Sequence, residues 1–268
     1  MKRQLGAQTG TLIRFNLKRD WKKNLIWIVV MTGLFAVIAA KFEGIYGTQA
    51  ALNEIVKTLK MPAMVALFGA FTAKAPYTTA KVFATEMVVF MALFMVIMNI
   101  MIAVAVTRTD EDDGRLELIR AHAVGRLAPL FAVATELTVL NGFVGVLFGL
   151  GLQVAQLPGA TTTGNWLIGL GLGTLGWAFG MLTLLLAQVA TSASGTTMLS
   201  YVVLGGMYIA RMGTDVSHPR LTWWIPFGWI EKMDVYQTAH WLPVGLYGLM
   251  GLVCLAVALG LSAQRDVG

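Results

Sequence analysis

Hydrophobic residues in this chain gather into six long runs separated by shorter polar stretches, approximately residues 25–40, 84–106, 128–152, 167–190, 194–212 and 242–263. A helix needs roughly 20 apolar residues to cross a hydrocarbon core, so each run is expected to be a membrane span. The first run is short and the fifth is strongly apolar only over 198–210; tilt, snorkelling of flanking residues or local thinning of the bilayer accommodates both. Residues 9–24 alternate differently. Leu12, Ile13, Phe15, Leu17 and Trp21 interleave with Arg14, Lys18, Arg19, Lys22 and Lys23, the pattern of an amphipathic helix lying in the interface. The pattern therefore predicts an all-α membrane protein, with a cytoplasmic interfacial segment at 1–24 and a six-span domain at 25–268.

The connections carry their own signals. Residues 41–83 form a long outer loop, with a helix-like piece near 49–60 and, after Pro62, an apolar piece at 64–71 that is too short to span. Pro158-Gly159 and the threonines at 161–163 mark a plain outer loop, and residues 191–193 leave only a tight turn. A second outer loop, 213–241, holds four of the eight tryptophans, Trp223, Trp224, Trp229 and Trp241. Clustered tryptophan beside a span marks the head-group level. Pro226 and Gly228 break any long helix there, so Pro226, Gly228 and Trp229 are expected in short interfacial or re-entrant pieces.

Composition supports the same class: 57% hydrophobic residues, 13% charged and a mean hydropathy of +0.70 leave too little polar material to coat a soluble domain of this length. Seven Lys or Arg precede the first span, opposed only by Asp20, which keeps the amino terminus in the cytoplasm, and six spans return the carboxyl end to the same side. Counted over tails and loops, twelve Lys/Arg lie inside and eight outside. The location that follows is the plasma or inner membrane, multi-pass. The first run follows more than twenty polar and basic residues and has no small-residue cleavage pattern, so it is expected to stay as a span. The net charge of +6 comes from basic residues beside spans, where they attract anionic lipid head groups rather than nucleic acid. Cys254 is the single cysteine and has no internal partner.

Within the spans two features call for a cause. Gly169, Gly173, Gly176 and Gly180 recur at spacings of four, three and four, so they fall within about 60° on one helix face. Such a stripe lets helix backbones approach closely in lipid, within one bundle or between subunits; Gly142, Gly145 and Gly149 repeat the theme one span earlier. The second feature is Glu136, roughly 12 Å into the third span at 1.5 Å per residue, with Asn99 at similar depth and Asn141 further along. An ionisable group there costs about 2.5 to 3.5 kcal/mol on insertion scales. Asn99, Glu136 and Asn141 either line a substrate or proton path, or Glu136 pairs with Asn99 to fix packing. The second is the simpler.

Catalytic signatures are absent from the sequence. The histidines, His122, His218 and His240, lack metal-binding spacing, there is no His-Glu-x-x-His or Gly-x-Ser-x-Gly, and no Gly-Lys dipeptide exists for a phosphate loop. No catalytic residue, metal site or cofactor is expected in the chain, and any ATP would be bound by another polypeptide.

Between the second and third runs lies a charged island, Asp110-Glu111-Asp112-Asp113-Gly114-Arg115-Leu116-Glu117-Leu118-Ile119-Arg120. Its acidic start suits the positive end of a helix over 114–122, Glu111 to Arg115 and Glu117 to Arg120 have ion-pair spacing, and Leu116, Ile119 and Ala123 share one side. Together with Val124-Gly125-Arg126, this stretch resembles the segment after the second span in permeases of ATP-binding-cassette exporters, closest to the polyketide-antibiotic exporter kind. Pro226-Phe227-Gly228-Trp229 and Trp241-Leu242-Pro243 resemble that family's outer segment before the sixth span. Ala123 stands where the family commonly has proline. The resemblance implies a short cytoplasmic coupling helix within 107–127, with Asp110, Glu111, Gly114, Arg115, Leu116, Glu117, Leu118, Ile119 and Arg126 meeting a separate ATPase that holds ATP and Mg. It also implies outward movement of a hydrophobic or amphiphilic compound such as an antibiotic, drug or lipid. Such permeases often carry two six-span repeats and this chain carries one, so a second half or a second copy is an expected partner, beside membrane lipids. A membrane-embedded enzyme using Glu136, or a non-transporting assembly protein, are the alternatives.

Overall fold

The computed structural model describes residues 8–114 and 124–264, and they are helical almost throughout. The long helices are α1 (Thr9–Tyr46), α4 (Thr79–Val104), α5 (Ala128–Ala155), α6 (Thr162–Val189), α7 (Ala193–Ser217) and α8 (Leu242–Gln264); two short ones, α2 (Gln49–Leu59) and α3 (Pro62–Phe68), fill the connection after α1. α4 continues through a π-helical turn, Ala105–Thr109, into one last α turn, Asp110–Asp112. Among the described residues five helices are long and apolar enough to cross a membrane: α1, α4 with its extension, α5, α6 and α8. α7 matches the fifth apolar run but falls below that apolarity, because its first turns carry Ser194, Gly195, Thr196 and Thr197 and its last two carry Arg211 and Asp215.

One expectation changes. The amphipathic segment and the first span are not separate elements: residues 9 to 46 form one uninterrupted helix. Its buried face runs in steps of about one turn, polar at Asn16, Asp20 and Asn24, then apolar at Met31, Phe35, Ala39 and Phe42. Polar positions 16, 20 and 24 fall in register with the apolar stripe, so nothing forces a break at the boundary. Asp110–Asp112 forms the end of the long α4 helix, and Gly114, at φ 72°, takes the left-handed conformation that glycine adopts without a Cβ penalty just past a helix.

α6 is the hub, packed against α4, α5 and α8. Its glycine stripe meets α5 backbone to backbone: a Cβ on Gly173 would lie 2.8 Å from the Asn141 carbonyl oxygen, and one on Gly145 would lie 2.9 Å from that of Gly169. The stripe is thus an internal seam of one bundle, as the small-residue spacing allows. Gly142 is no part of it, since it has open space where a Cβ would go. Higher on the stripe the neighbour changes. Asn99 and Asn141 exchange two side-chain hydrogen bonds, of 2.9 and 2.6 Å, and each also donates to the carbonyl four residues earlier. A Cβ on Gly176 would lie 2.7 Å from Asn99 Nδ2, and one on Gly180 3.0 Å from Asn99 Oδ1. On the other side of α6, Gly251 of α8 lies beneath the Trp177 ring. α1 closes the bundle through Phe35, whose ring lies 5.4 Å from that of Phe83 and 4.7 Å from that of Phe148.

The seam makes a direct prediction. Gly176→Leu should separate α6 from the asparagine pair and destabilise the protein by about 1–3 kcal/mol or more, whereas Gly142→Ala should be neutral or slightly stabilising. Thermal unfolding of both variants in detergent checks this; equal stability of Gly176→Leu and the parent would show that the stripe does not hold the bundle.

Candidate functional site

Polar side chains concentrate at the two ends of the bundle. At the end where α4 finishes, Arg108 on the π turn is buried and reaches α6: Nε donates to the Ala187 carbonyl at 2.6 Å and a second guanidinium nitrogen donates to the same oxygen, while Nη1 pairs with Glu111 at 2.8 Å. Ala187 lies in the last turn of α6, where carbonyls have no helical partner and a cation is favoured. Arg19 of α1 pairs with Asp110 at 2.7 Å and with its neighbour Asp20 at 2.8 Å. Asp112 accepts the Ala193 amide hydrogen at 2.8 Å, capping the first turn of α7. Three residues within little more than one turn, Arg108, Asp110 and Asp112, thus hold α6, α1 and α7 together. A π turn just ahead of such a cluster re-aims the side chains that follow it.

Of the expected coupling residues, Asp110, Glu111 and Gly114 belong to this end, and Arg126 is exposed in the turn entering α5. Arg115, Leu116, Glu117, Leu118 and Ile119 lie outside the described residues, and with them the expected coupling helix. Glu111 pairs with Arg108, one helical turn back.

The expected pair of Glu136 and Asn99 does not form. Asn99 turns to Asn141, where each amide has both donor and acceptor to offer. Glu136, fully buried on α5, instead accepts a hydrogen bond from Asn24 Nδ2 of α1 at 2.8 Å through Oε1. Its Oε2 has no hydrogen-bond partner. The sequence reading missed Asn24 because it placed 1–24 on the membrane surface; once α1 is one helix, the step from Asp20 to Asn24 puts both on the face toward α5 and α4.

The opposite end holds a cluster that the sequence reading did not single out. Arg211, fully buried on α7, pairs with Asp215 at 2.9 Å and Glu231 at 3.2 Å, donates to the carbonyls of Ala66 and Leu67 at 2.7 and 3.0 Å, and stacks over Tyr208. Asp215 also accepts from Thr222 at 2.6 Å, and Lys232 pairs with Glu231 at 2.9 Å. The guanidinium ties α7 to α3 and to the 3₁₀ stretch Pro226–Met233, and its partner Asp215 adds the 3₁₀ stretch Leu221–Trp224 through Thr222. Its signal was an Arg and an Asp four residues apart at the end of an apolar run. Pro226 starts the second 3₁₀ stretch, a Cβ on Gly228 would run into Thr222, and Trp229 packs on Tyr247 and donates to the Trp223 carbonyl at 2.7 Å. Trp224 remains 84% exposed, so its indole faces outward rather than packing inside.

Glu231 is pushed up to about 7, first by burial and then by the hydrogen bond and charge of Asp215, with Lys232 pulling the other way. A carboxyl raised in the folded state holds its proton more tightly than in the unfolded chain. The stability it contributes is complete below the ordinary carboxylate range and is lost as pH rises through 7. Between about pH 5 and pH 8, wild-type stability should fall by on the order of 1–3 kcal/mol more than that of Glu231→Gln; parallel profiles of unfolding temperature against pH would exclude this. For Glu136 the prediction is structural. Glu136→Gln keeps an oxygen to accept from Asn24 and should fold and function as the parent does, whereas Glu136→Leu strands the Asn24 amide at a cost of about 1–3 kcal/mol. A well-folded Glu136→Gln variant without activity in reconstituted vesicles would assign the carboxyl a functional role instead.

No family model matches the chain. Over 267 residues, 97% of its length, the chain is 28% identical to a multidrug efflux system permease protein of Mycobacterium tuberculosis. It spans about half of that protein, 47% of its length. The resemblance to exporter permeases carried by residues 108–126 and 226–243 is borne out by this similarity to an efflux permease.

Proposed function

We propose that the chain is a six-span permease half of an ATP-driven exporter, moving a hydrophobic or amphiphilic compound out of the cytoplasm or the inner leaflet. The observation that carries this reading is the similarity to an efflux permease along nearly the whole chain. The helix that brings the count from five to six is α7, the fifth span in chain order. Its 25 residues reach about 37 Å, longer than a hydrocarbon core of about 30 Å. Its ionic pair lies in the last two turns, and Thr196, Thr197 and Ser200 bond to carbonyls four residues back. Its middle presents Met198, Val202 and Ile209 outward, at 60–71% exposure, as a lipid-facing helix would.

In this reading the end holding Arg108 and Asp110 is cytoplasmic, in keeping with the basic residues of α1, and the Arg211 cluster is external. A separate ATPase, with its own ATP and Mg, docks on 110–126. Its closure on ATP displaces the end of α4, and the bonds from Arg108, Asp110 and Asp112 carry that displacement to α6, α1 and α7. A second half, covalently linked or a second copy, completes the path in the plasma or inner membrane. The chain itself makes and breaks no covalent bond.

The reading is tested by affinity purification from membranes. The chain should bring down an ATP-binding-cassette ATPase, and Leu116→Asp or Ile119→Asp should reduce recovery by about tenfold or more, with insertion and thermal stability unchanged. Absence of any ATPase, or recovery unchanged in both variants, would overturn the docking assignment.

A further inference from the structure

The loop between the 3₁₀ stretch Pro226–Met233 and α8 concentrates backbone strain. Among the described residues five that are not glycine have positive φ, and three of these fall within six positions: Asp234 at 45°, Tyr236 at 61° and Ala239 at 51°. The left-handed region is disfavoured for a residue with a Cβ, least for Asp and most for a bulky side chain such as Tyr. Such strain persists only where the surroundings over-determine it, and two grips do so here. On one side Tyr236 is 7% exposed, its ring lies where a Cβ on Gly164 would go, and its hydroxyl donates to Asn165 at 2.5 Å. Asn165 in turn donates to Gln153 of α5 at 3.0 Å. On the other side the Thr72 hydroxyl donates to Asp234 at 3.0 Å and accepts from Gln237 at 2.9 Å. The ends of the loop are joined to each other, His240 donating to the Met233 carbonyl at 2.9 Å. The loop is therefore a closed unit that can lift without unravelling the segments on either side.

We propose that residues 234–239 are a strained latch on the outer end of α6, held shut by Tyr236 and released when α6 shifts. Gly164 and Asn165 belong to the first turn of α6, and Ala187, which Arg108 grips, to its last. A continuous helix carries a shift from one end to the other, whereas the latch is held to α6 by one hydroxyl bond and one ring contact. Once Tyr236 parts from Asn165, the left-handed residues are free to relax, so the stored strain favours release. Lifting the loop uncovers the ends of α5 and α6 at Gln153 and Asn165, on the side that the export reading makes external. The proposal rests on that reading for the source of the shift, but the strain in the latch does not.

The test follows amide hydrogen exchange of the purified chain in nanodiscs, over 233–240 and, as a reference, over the α5 and α6 seam. Tyr236→Phe keeps the ring and removes the hydroxyl bond, and should speed exchange of 233–240 by about threefold or more. Ala239→Gly relieves one left-handed residue at the loss of a methyl group, and should slow it by about threefold. The seam should exchange as in the parent in both variants. In an unstrained loop the glycine would have the opposite effect, because it adds freedom to the open chain. Faster exchange in Ala239→Gly, or exchange of 233–240 unchanged in both variants, overturns the proposal. The coupling to α6 is read on the complex with the ATPase that the chain brings down. Trapping that complex with ATP and vanadate should speed exchange of 233–240 relative to the nucleotide-free complex, and equal exchange in the two states overturns release by α6. If no ATPase is recovered the export reading fails, while the two variants still decide whether the latch is strained.

Discussion

The contact on which the bundle depends is that between α5 and α6, where Gly145, Gly169 and Gly173 bring two helix backbones together with no side chain between them. In lipid there is no water to expel from between apolar helices, so association rests on close dispersion contact and on polar groups satisfied within the protein. Both occur on the same seam. Below Gly173 the approach is bare backbone; at Gly176 and Gly180 the space that a side chain would take is filled by Asn99 and Asn141. Those amides can lie at the centre of the bundle because each satisfies the other and a backbone carbonyl, which removes the cost of an unpaired buried polar group. With α4, α5 and α6 fixed in this way, α8 is set by Gly251 under Trp177, and α1 by three phenylalanine rings.

Charged groups follow a different rule. Among the described residues, buried arginines occur at the bundle ends, and each has several acceptors: Arg108 a helix-end carbonyl and Glu111, Arg211 two carboxylates and two carbonyls. A buried ion pair gains little over an apolar core of the same volume, but one partner without the other is strongly destabilising. Such clusters therefore act less as sources of stability than as ties that specify which segments meet. At one end the tie joins α1, α6 and α7 to the end of α4; at the other it joins α3, α7 and the tryptophan-rich stretch.

Much of the architecture was legible because the apolar runs are long and sharply bounded: the apolar stretches at 84–106, 128–152, 167–190 and 242–263 became α4, α5, α6 and α8 with ends shifted by a few residues. The stripe from Gly169 to Gly180 was readable from spacing, because a helix has only one way to place residues four, three and four apart. Partners across the bundle were not readable. Asn99 had Glu136 and Asn141 within plausible depth, and depth along a span does not fix rotation about it. α1 was divided in two because its amphipathic and apolar halves differ in composition, although the buried face passes from one to the other in step. Arg211 escaped notice since a single arginine near the end of an apolar run is indistinguishable from an ordinary interfacial charge until Ala66, Leu67 and Glu231, distant in sequence, are placed around it.

α7 is the helix these ties treat differently. α6 is gripped along its length by α4, α5 and α8, whereas α7 has its first turn capped by Asp112, its last turns held through Arg211, and a middle that exposes Met198, Val202 and Ile209. A helix bound at both ends and loosely packed between them can tilt as a rod without breaking a tightly packed seam, because packed interfaces resist continuous deformation. Under the export reading, a push on residues 110–112 would move the near end of α7 through the Asp112 cap. The far end carries Arg211, which ties it to Glu231 and to the carbonyls of Ala66 and Leu67. The two polar clusters, about 27–33 Å apart along one helix at 1.5 Å per residue, are then the ends of a single lever that rests on α4 and α6 between them.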